Sequence, residues 1–162
     1  MIKAEDGAQP VVYCNADFAG DTSDYKSTSG VLVMMGSTPV CWYSTKQTNT
    51  AQSTTDAEII SMNLATKEIV WIRNLLREIG ISIVQPTKLL SDSQSSIMLA
   101  HNPVFHKRTK HIMVKFQFLV ETLKSDEAIL EYVKSVLNLA DGLTKPLGIK
   151  LFQNHRNLIN MR

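Results

Sequence analysis

Residues 11–21 read VVYCNADFAGD, and this stretch predicts the first strand of a sheet. An apolar run follows a polar segment and stops at Asn15 and Asp17, just before a turn that contains Gly20. An apolar run that ends in turn residues is typical of a buried strand. The polar residues at its end then lie at the rim of the sheet. The stretch therefore predicts a rim position for Asn15, for Asp17 or for both.

Four more apolar runs predict the rest of the sheet. GVLVMMG (30–36) and PVCWYST (39–45) are separated by turn residues and predict a hairpin, with Trp42 in the core. PTKLLSD (86–92) and AILEYVK (128–134) each follow a helical segment. Consecutive strands favour antiparallel pairing, whereas helical crossovers favour parallel pairing. The order predicts an α/β fold with a five-stranded mixed sheet, antiparallel in its first three strands and flanked by helices.

The longest periodic segment predicts one long helix after the third strand. Its apolar residues recur every three or four positions and share one helical face, and Gly80 ends the helix in a left-handed cap. Shorter helices are predicted within 93–102, within 106–126 after a basic loop, and in the tail 149–162, with a helical turn in 138–145. The apolar face of the long helix comprises Ile59, Met62, Ala65, Ile69, Ile72, Leu76 and Ile79.

The chain has 162 residues with ordinary apolar and charged fractions, which predicts one compact domain, and its net charge of +2 says little about partners. Residues 1–10 are interpreted as a leader or linker, 11–147 as the domain and 148–162 as a C-terminal helical tail. The chain has no run of about 20 apolar residues and no apolar signal segment near its start. We therefore expect no membrane partner and an intracellular location, cytoplasmic or nuclear. Cys14 and Cys41 are predicted to be buried free thiols.

Acidic or amide side chains stand at four places where a strand ends or a helix begins. Asn15 and Asp17 end the first strand, and Asp92 ends the fourth. Glu58 lies in the first turns of the long helix, and Asp141 opens the later helical turn. Sites in α/β sheets form beyond the carboxyl ends of strands. Carboxylates that converge there repel one another unless a cation holds them, and oxygen ligands alone favour magnesium or manganese.

Each of these acids also has an ordinary structural interpretation. Asp92 can cap the helix that follows it. Thr55 and Glu58 match the spacing of a capping box. Asp141 suits the positive end of a helix dipole. The set as a whole, and not any one member, favours a site in which two metal ions hold the attacking water and the leaving oxygen of a phosphodiester.

At these positions the chain resembles the ribonuclease H domain of copia-type LTR-retrotransposon polyproteins, in register from about Val12 to Leu147. The matching stretches are YCNADFAGD…KSTSG, STTDAEII…KEIVWIRNLLREIG, LLSDSQSSIMLAHNPVFHKRTKHI and LEYV…LADGLTKPL. The resemblance implies the five-stranded ribonuclease H fold and hydrolysis of the RNA strand of RNA·DNA hybrids. It also implies two Mg²⁺ (or Mn²⁺) ions and a place behind the reverse transcriptase domain of a parent polyprotein.

The same resemblance assigns roles to individual residues. Glu58, Asp92 and Asp141 match three of that family's four metal-binding carboxylates. The fourth belongs to a pattern Asp-Ala-Asp-Trp-Ala-Gly, which reads NADFAG at 15–20 in this chain. The position of the carboxylate that bridges both ions is therefore held by Asn15.

The change at Asn15 is either natural or an introduced substitution. An amide keeps the size of the carboxylate but lacks its charge, so we expect weaker metal binding and slower cleavage. Asp17 is a candidate substitute ligand on the same side of the strand, although two residues along a strand span roughly 6–7 Å. Met113 and Lys134-Ser135 also depart from the family, which has Asp and Pro-Thr there. The alternative function is a non-catalytic module that binds the hybrid or a protein.

The basic stretch HNPVFHKRTKHIMVK (101–115) contains no acidic residue. It is interpreted either as a solvated loop and helix face or as a strip that contacts the phosphates of the hybrid. RNA would be distinguished from DNA through its 2′-hydroxyl groups. The candidates for binding the hybrid are Thr28, Ser29, Asn63, Gln94, Lys107, Arg108, Lys110 and His111.

Overall fold

The computed structural model describes residues 9–102 and 110–160, without the side chains of residues 110–115. Its centre is a five-stranded sheet in the order β3-β2-β1-β4-β5. The first three strands pair antiparallel, and β4 runs parallel to both β1 and β5. The predicted mixed sheet and its pairing are thus confirmed. The strands are β1 (Pro10–Asp17), β2 (Thr28–Met35), β3 (Thr38–Lys46), β4 (Thr87–Ser91) and β5 (Ala128–Tyr132).

Helices flank this sheet and carry the chain between its parallel strands. Two short 3₁₀ helices, Ser135–Leu137 and Asp141–Leu143, follow β5, and the second is called the Asp141 turn below. Within the described ranges, no helix combines the length and apolar character needed to cross a bilayer. The α-helices are α1 (Thr54–Glu78), α2 (Gln94–His101), α3 (Lys110–Lys124) and α4 (Ile149–Leu158).

The main core lies between one face of the sheet and helices α1 and α3. Inward residues of the central strands meet the apolar stripe of α1, as the period of two in strands and of 3.6 in helices requires. Burying one such aliphatic side chain stabilises the fold by about 1.5–3 kcal/mol. This packing sets the carboxyl ends of β1 and β4 beside the first turns of α1. The core residues include Val12, Cys14, Val31, Val33, Ile59, Met62, Ala65, Ile69, Leu89 and Leu119.

Three details differ from the expectations. Trp42 is 53% exposed, because β3 is an edge strand whose outer face borders a cavity of about 320 Å³ beside α4. Ile79 is 62% exposed, because α1 ends before it and the chain turns at Gly80, which has φ +82°. Cys41 is only partly buried, whereas Cys14 is fully buried, and both thiols are free.

The start of α1 also differs from the expectation. Ser53 is the N-cap, and its hydroxyl accepts a hydrogen bond from the Asp56 amide at 3.1 Å. The capping box predicted from Thr55 and Glu58 is therefore wrong. Because the cap is Ser53, the Glu58 side chain is not used at the helix terminus.

Candidate active site at the carboxyl ends of β1 and β4

Asn15 lies near the end of β1, with its side chain almost fully buried. Its amide Nδ2 donates to Asp141 Oδ1 at 2.6 Å and to Thr144 Oγ1 at 3.3 Å. Its main-chain carbonyl accepts a hydrogen bond from the Ser61 hydroxyl of α1 at 2.7 Å. Asn15 thus joins β1 to α1 on its main chain and to the Asp141 turn on its side chain.

The Asp141 turn approaches β2 closely because residue 30 is glycine. A Cβ at Gly30 would lie 2.8 Å from the Ala140 carbonyl oxygen and 2.9 Å from atoms of Leu143 and Thr144. Contacts that short force the neighbouring main chain to move. The absence of a side chain at Gly30 therefore allows the turn to bring Asp141 to the rim of the sheet.

Asp92 follows β4 and is held by a residue that the sequence did not indicate. Asn138 is fully buried, and its amide donates to Asp92 Oδ1 at 3.2 Å and to the Cys14 carbonyl at 3.0 Å. Its own oxygen accepts from the Ala140 amide at 3.2 Å. The N-cap of α2 is Ser93, so the capping role considered for Asp92 is wrong. Asn138 fixes both the end of β1 and the carboxylate beyond β4.

Glu58 lies in the first turns of α1 and points into this group. It is 9% exposed, and its Oε2 has no hydrogen-bond partner among the described residues. Burial, followed by the negative charge of Asp92, raises the pKa of Glu58 to about 8. Asp141 adds to this increase, while a hydrogen bond from the Ala16 amide and the charge of Lys145 oppose it. The negative charges of Asp92 and Asp141 therefore both act on the Glu58 carboxyl group.

Lys145 supplies a positive charge to the same group. Its Nζ lies 2.7 Å from Asp141 Oδ1, the oxygen that also accepts from Asn15. The hydrogen bond to Asp141 is the main cause that raises the pKa of Lys145, and the charges of Asp17 and Asp92 act in the same direction. The structure therefore brings together the four predicted residues and adds a cation to them.

The donor set is suited to a divalent cation in chemical type. Three carboxylates and an amide carbonyl are hard oxygen ligands, and Glu58 Oε2 is buried without a hydrogen bond from any described residue. However, the described residues contain no group of three or more His, Cys, Asp or Glu side chains close enough to hold a metal ion. The fourth carboxylate is missing at Asn15, and the Asp141 carboxylate is directed to two N–H donors.

The sequence is similar to that of retrotransposon polyproteins. No family model matches the sequence. The chain is 40% identical over 149 residues to the retrovirus-related Pol polyprotein from transposon RE2 of Arabidopsis thaliana, covering 92% of this chain and 10% of that protein. It is 33% identical over 157 residues to the corresponding polyprotein from transposon TNT 1-94 of Nicotiana tabacum, covering 96% of this chain and 12% of that protein.

Solved structures with low sequence identity share the architecture. LC11-RNase H1 in complex with an RNA/DNA hybrid aligns with a TM-score of 0.60 and 14% identity, over 84% of this chain and 94% of that one. The foamy viral protease-reverse transcriptase, also in complex with an RNA/DNA hybrid, aligns with a TM-score of 0.61 and 17% identity, over 85% of this chain and 20% of that one. The chain has the ribonuclease H fold and is homologous to retrotransposon Pol polyproteins. Both predictions are confirmed. This ribonuclease H-like domain spans about a tenth of the length of the Arabidopsis thaliana Pol polyproteins that it matches.

Four residues that were predicted to contact a hybrid differ in their accessibility on the ribonuclease H-like domain. Ser29 is fully buried and bound to Gln47 Nε2 at 2.8 Å, and Asn63 is 2% exposed. Neither side chain is accessible to a hybrid, because both are buried in the protein interior, so these two predictions are wrong. Thr28 is half-buried and Gln94 is exposed, so both remain candidates.

The remaining candidates are only partly covered by the structure. Lys107 and Arg108 lie outside the described residues. Lys110 and His111 form the start of α3, but their side chains are not described. Asp17, the candidate substitute ligand, is half-buried at the end of β1 and lies against Gly20. Its role stays a prediction.

Three residues of the site were missed by the sequence reasoning. Lys145 lies four positions after Asp141, and that spacing was the one local signal for an ion pair between them. Asn138 and Thr144 gave no such signal, because their partners on β1 are more than a hundred residues away in the chain.

Proposed function

We propose that this chain is a ribonuclease H-type endonuclease domain that hydrolyses the RNA strand of RNA·DNA hybrids, and that Asn15 impairs cleavage. We further propose that it acts behind the reverse transcriptase domain of a retrotransposon polyprotein. The observation that carries the proposal is the hydrogen bond between Asn15 and Asp141 beside Glu58 and Asp92. It joins the ends of separate elements at the rim where sites of α/β sheets form.

In this proposal the metal ligands are the carboxylates of Glu58, Asp92 and Asp141. The side-chain amide oxygen of Asn15 is the fourth ligand. Two bound Mg²⁺ or Mn²⁺ ions supply Lewis acidity to the phosphodiester and lower the pKa of the attacking water. The protein's own contribution is orientation. Asn138 holds Asp92, and the Asp141 turn places its carboxylate opposite Asn15.

Asn15 also explains why the proposed activity is impaired. A carboxylate at this position would stand next to the Asp141 carboxylate, and their repulsion would be relieved by a bound cation. The amide instead donates a hydrogen bond to Asp141, which together with the ion pair to Lys145 satisfies that carboxylate without a metal ion. The driving force for metal binding is thereby reduced.

The test restores the missing charge. The chain and its Asn15→Asp variant are incubated with a labelled RNA·DNA hybrid and Mg²⁺ or Mn²⁺. We expect Asn15→Asp to cleave faster by at least about 100-fold, the order of magnitude for one electrostatic group in a catalytic site. The matched control adds Asp92→Asn to Asn15→Asp, which should abolish the gain. Absence of cleavage by Asn15→Asp would exclude the nuclease assignment.

The second candidate function is a non-catalytic module that binds the hybrid or a protein partner. The amide at Asn15 favours it, because its hydrogen bonds to Asp141 and Thr144 already satisfy that part of the site. Fluorescence anisotropy with a labelled hybrid over a range of salt concentrations distinguishes the two functions. The module is supported if the logarithm of the binding constant falls linearly with the logarithm of the salt concentration and neither form cleaves the hybrid.

A further inference from the structure

One oxygen of the candidate site receives two N–H donors from the chain itself. Asp141 Oδ1 lies 2.6 Å from the Asn15 amide nitrogen and 2.7 Å from the Lys145 ammonium nitrogen. The Asp141 carboxylate is 7% exposed, so its charge is largely removed from water. A buried carboxylate needs such compensation, and here a lysine of the following residues provides it.

The position of Lys145 allows its ammonium group to move away from Asp141 into solvent. Its side chain is 47% exposed, in contrast to the buried carboxylate that it contacts. The other acids around it, Asp17 and Asp92, lie close enough to act on its charge. A half-exposed ammonium group can return to water at small cost, because a long lysine side chain keeps its charged end hydrated.

We propose that Lys145 is a built-in counter-cation, which occupies Asp141 when no divalent ion is bound and competes with that ion for Asp141 Oδ1. This inference rests on the proposed function, because it places the ion at Asp141. The Lys145 ammonium repels a divalent ion at the same carboxylate oxygen, so the ion binds more tightly once the ammonium has moved away. Lys145 is then a positioning residue that sets metal affinity, and not a catalytic one.

The proposal makes a direct prediction for metal binding. Mn²⁺ affinity is measured by titration calorimetry or by the electron paramagnetic resonance signal of free Mn²⁺, with no nucleic acid present. In the Asn15→Asp background, adding Lys145→Met should tighten Mn²⁺ binding about fivefold, the upper range for an exposed ion pair. The matched control is Lys88→Met, because Lys88 forms a comparable ion pair with Glu131 at 3.1 Å on β4 and β5. Lys88→Met should leave Mn²⁺ affinity unchanged.

A second measurement separates this role from a purely structural one. Without divalent ions, Lys145→Met should lower the melting temperature, because the Asp141 carboxylate loses its counter-charge. Saturating Mn²⁺ should remove that difference, since the ion replaces the ammonium. A melting temperature that falls equally with and without Mn²⁺ would assign Lys145 a structural role and overturn the proposal.

The failures of this proposal and of the proposed function are distinguishable. Unchanged or weaker Mn²⁺ binding after Lys145→Met overturns the counter-cation, whereas hybrid cleavage by Asn15→Asp decides the nuclease separately. If no variant binds Mn²⁺, the counter-cation is also refuted, because vacating Asp141 did not open a site. Should Lys145→Met fail to fold, Lys145→Gln removes the same charge with a side chain that stays polar.

Discussion

The raised pKa of Glu58 makes a quantitative prediction about stability. Its pKa increases from 4.5 to about 8, chiefly because the carboxyl group is buried and secondly because Asp92 is negative. Each unit of pKa difference between the folded and unfolded states corresponds to about 1.36 kcal/mol. The span from 4.5 to about 8 therefore sets an upper limit of about 5 kcal/mol on the contribution of this one group.

The sign follows from which state holds the proton more tightly. Folded Glu58 keeps its proton up to a pH of about 8, whereas the unfolded chain releases it near 4.5. The contribution of Glu58 is thus fully present below about pH 4.5 and is lost as pH rises through about 8. Between those values the free energy of unfolding should fall by up to about 1.4 kcal/mol per pH unit in the metal-free protein.

Chemical denaturation measures this dependence directly. The free energy of unfolding is obtained from urea titrations with a chelator present, at one-unit steps from about pH 5 to about pH 8. Glu58→Gln replaces the acid with an uncharged isostere and should remove most of the slope. Glu78→Gln, an exposed change in the last turn of α1, is the matched control and should retain it. Equal slopes for the wild type and Glu58→Gln would refute the assignment of the raised pKa to Glu58.

Two further predictions concern the residues that hold the site together. Gly30→Ala should lower the free energy of unfolding by about 1–3 kcal/mol, because a Cβ there meets the turn packed on β2. The control Ser82→Ala, at an exposed loop position, should change it by less than about 0.5 kcal/mol. Asn138→Ala should cost about 2–3 kcal/mol, because it removes buried hydrogen bonds, including that to Asp92, and the exposed Asn154→Ala should be near neutral. Denaturant unfolding measures both, and a neutral result for Gly30→Ala or Asn138→Ala would contradict the close packing of the Asp141 turn and of Asn138 against the sheet.

Three predictions were wrong because the local sequence does not show which atoms surround a residue in the fold. The stretch STTDAE offers two hydroxyl residues with an acid three positions later, and nothing in it selects Ser53 over Thr55 as the cap. The tendency of strand aromatics to pack inside predicts a core position for Trp42, but β3 is an edge strand and Trp42 is half exposed. Ser29 is a polar residue and is therefore a candidate for binding the hybrid, but the sequence does not reveal that its side chain is buried. The cap is a choice between two nearby residues, whereas the exposure of Trp42 and the burial of Ser29 depend on what packs around them in the fold.

By itself, the sequence determined the order of strands and helices, their pairing and the four residues at the rim. It could do so because hydrophobic periodicity and turn residues act over a few positions of the chain. Only the tertiary structure decided what those residues do to one another. Asn15 and Asp141 are 126 positions apart, and their hydrogen bond exists because β1 and the Asp141 turn are packed together over Gly30. The ion pair of Lys145 with the same oxygen has a local spacing of four residues, but the approach of the Asp141 turn to β1 depends on packing distances that no local pattern encodes.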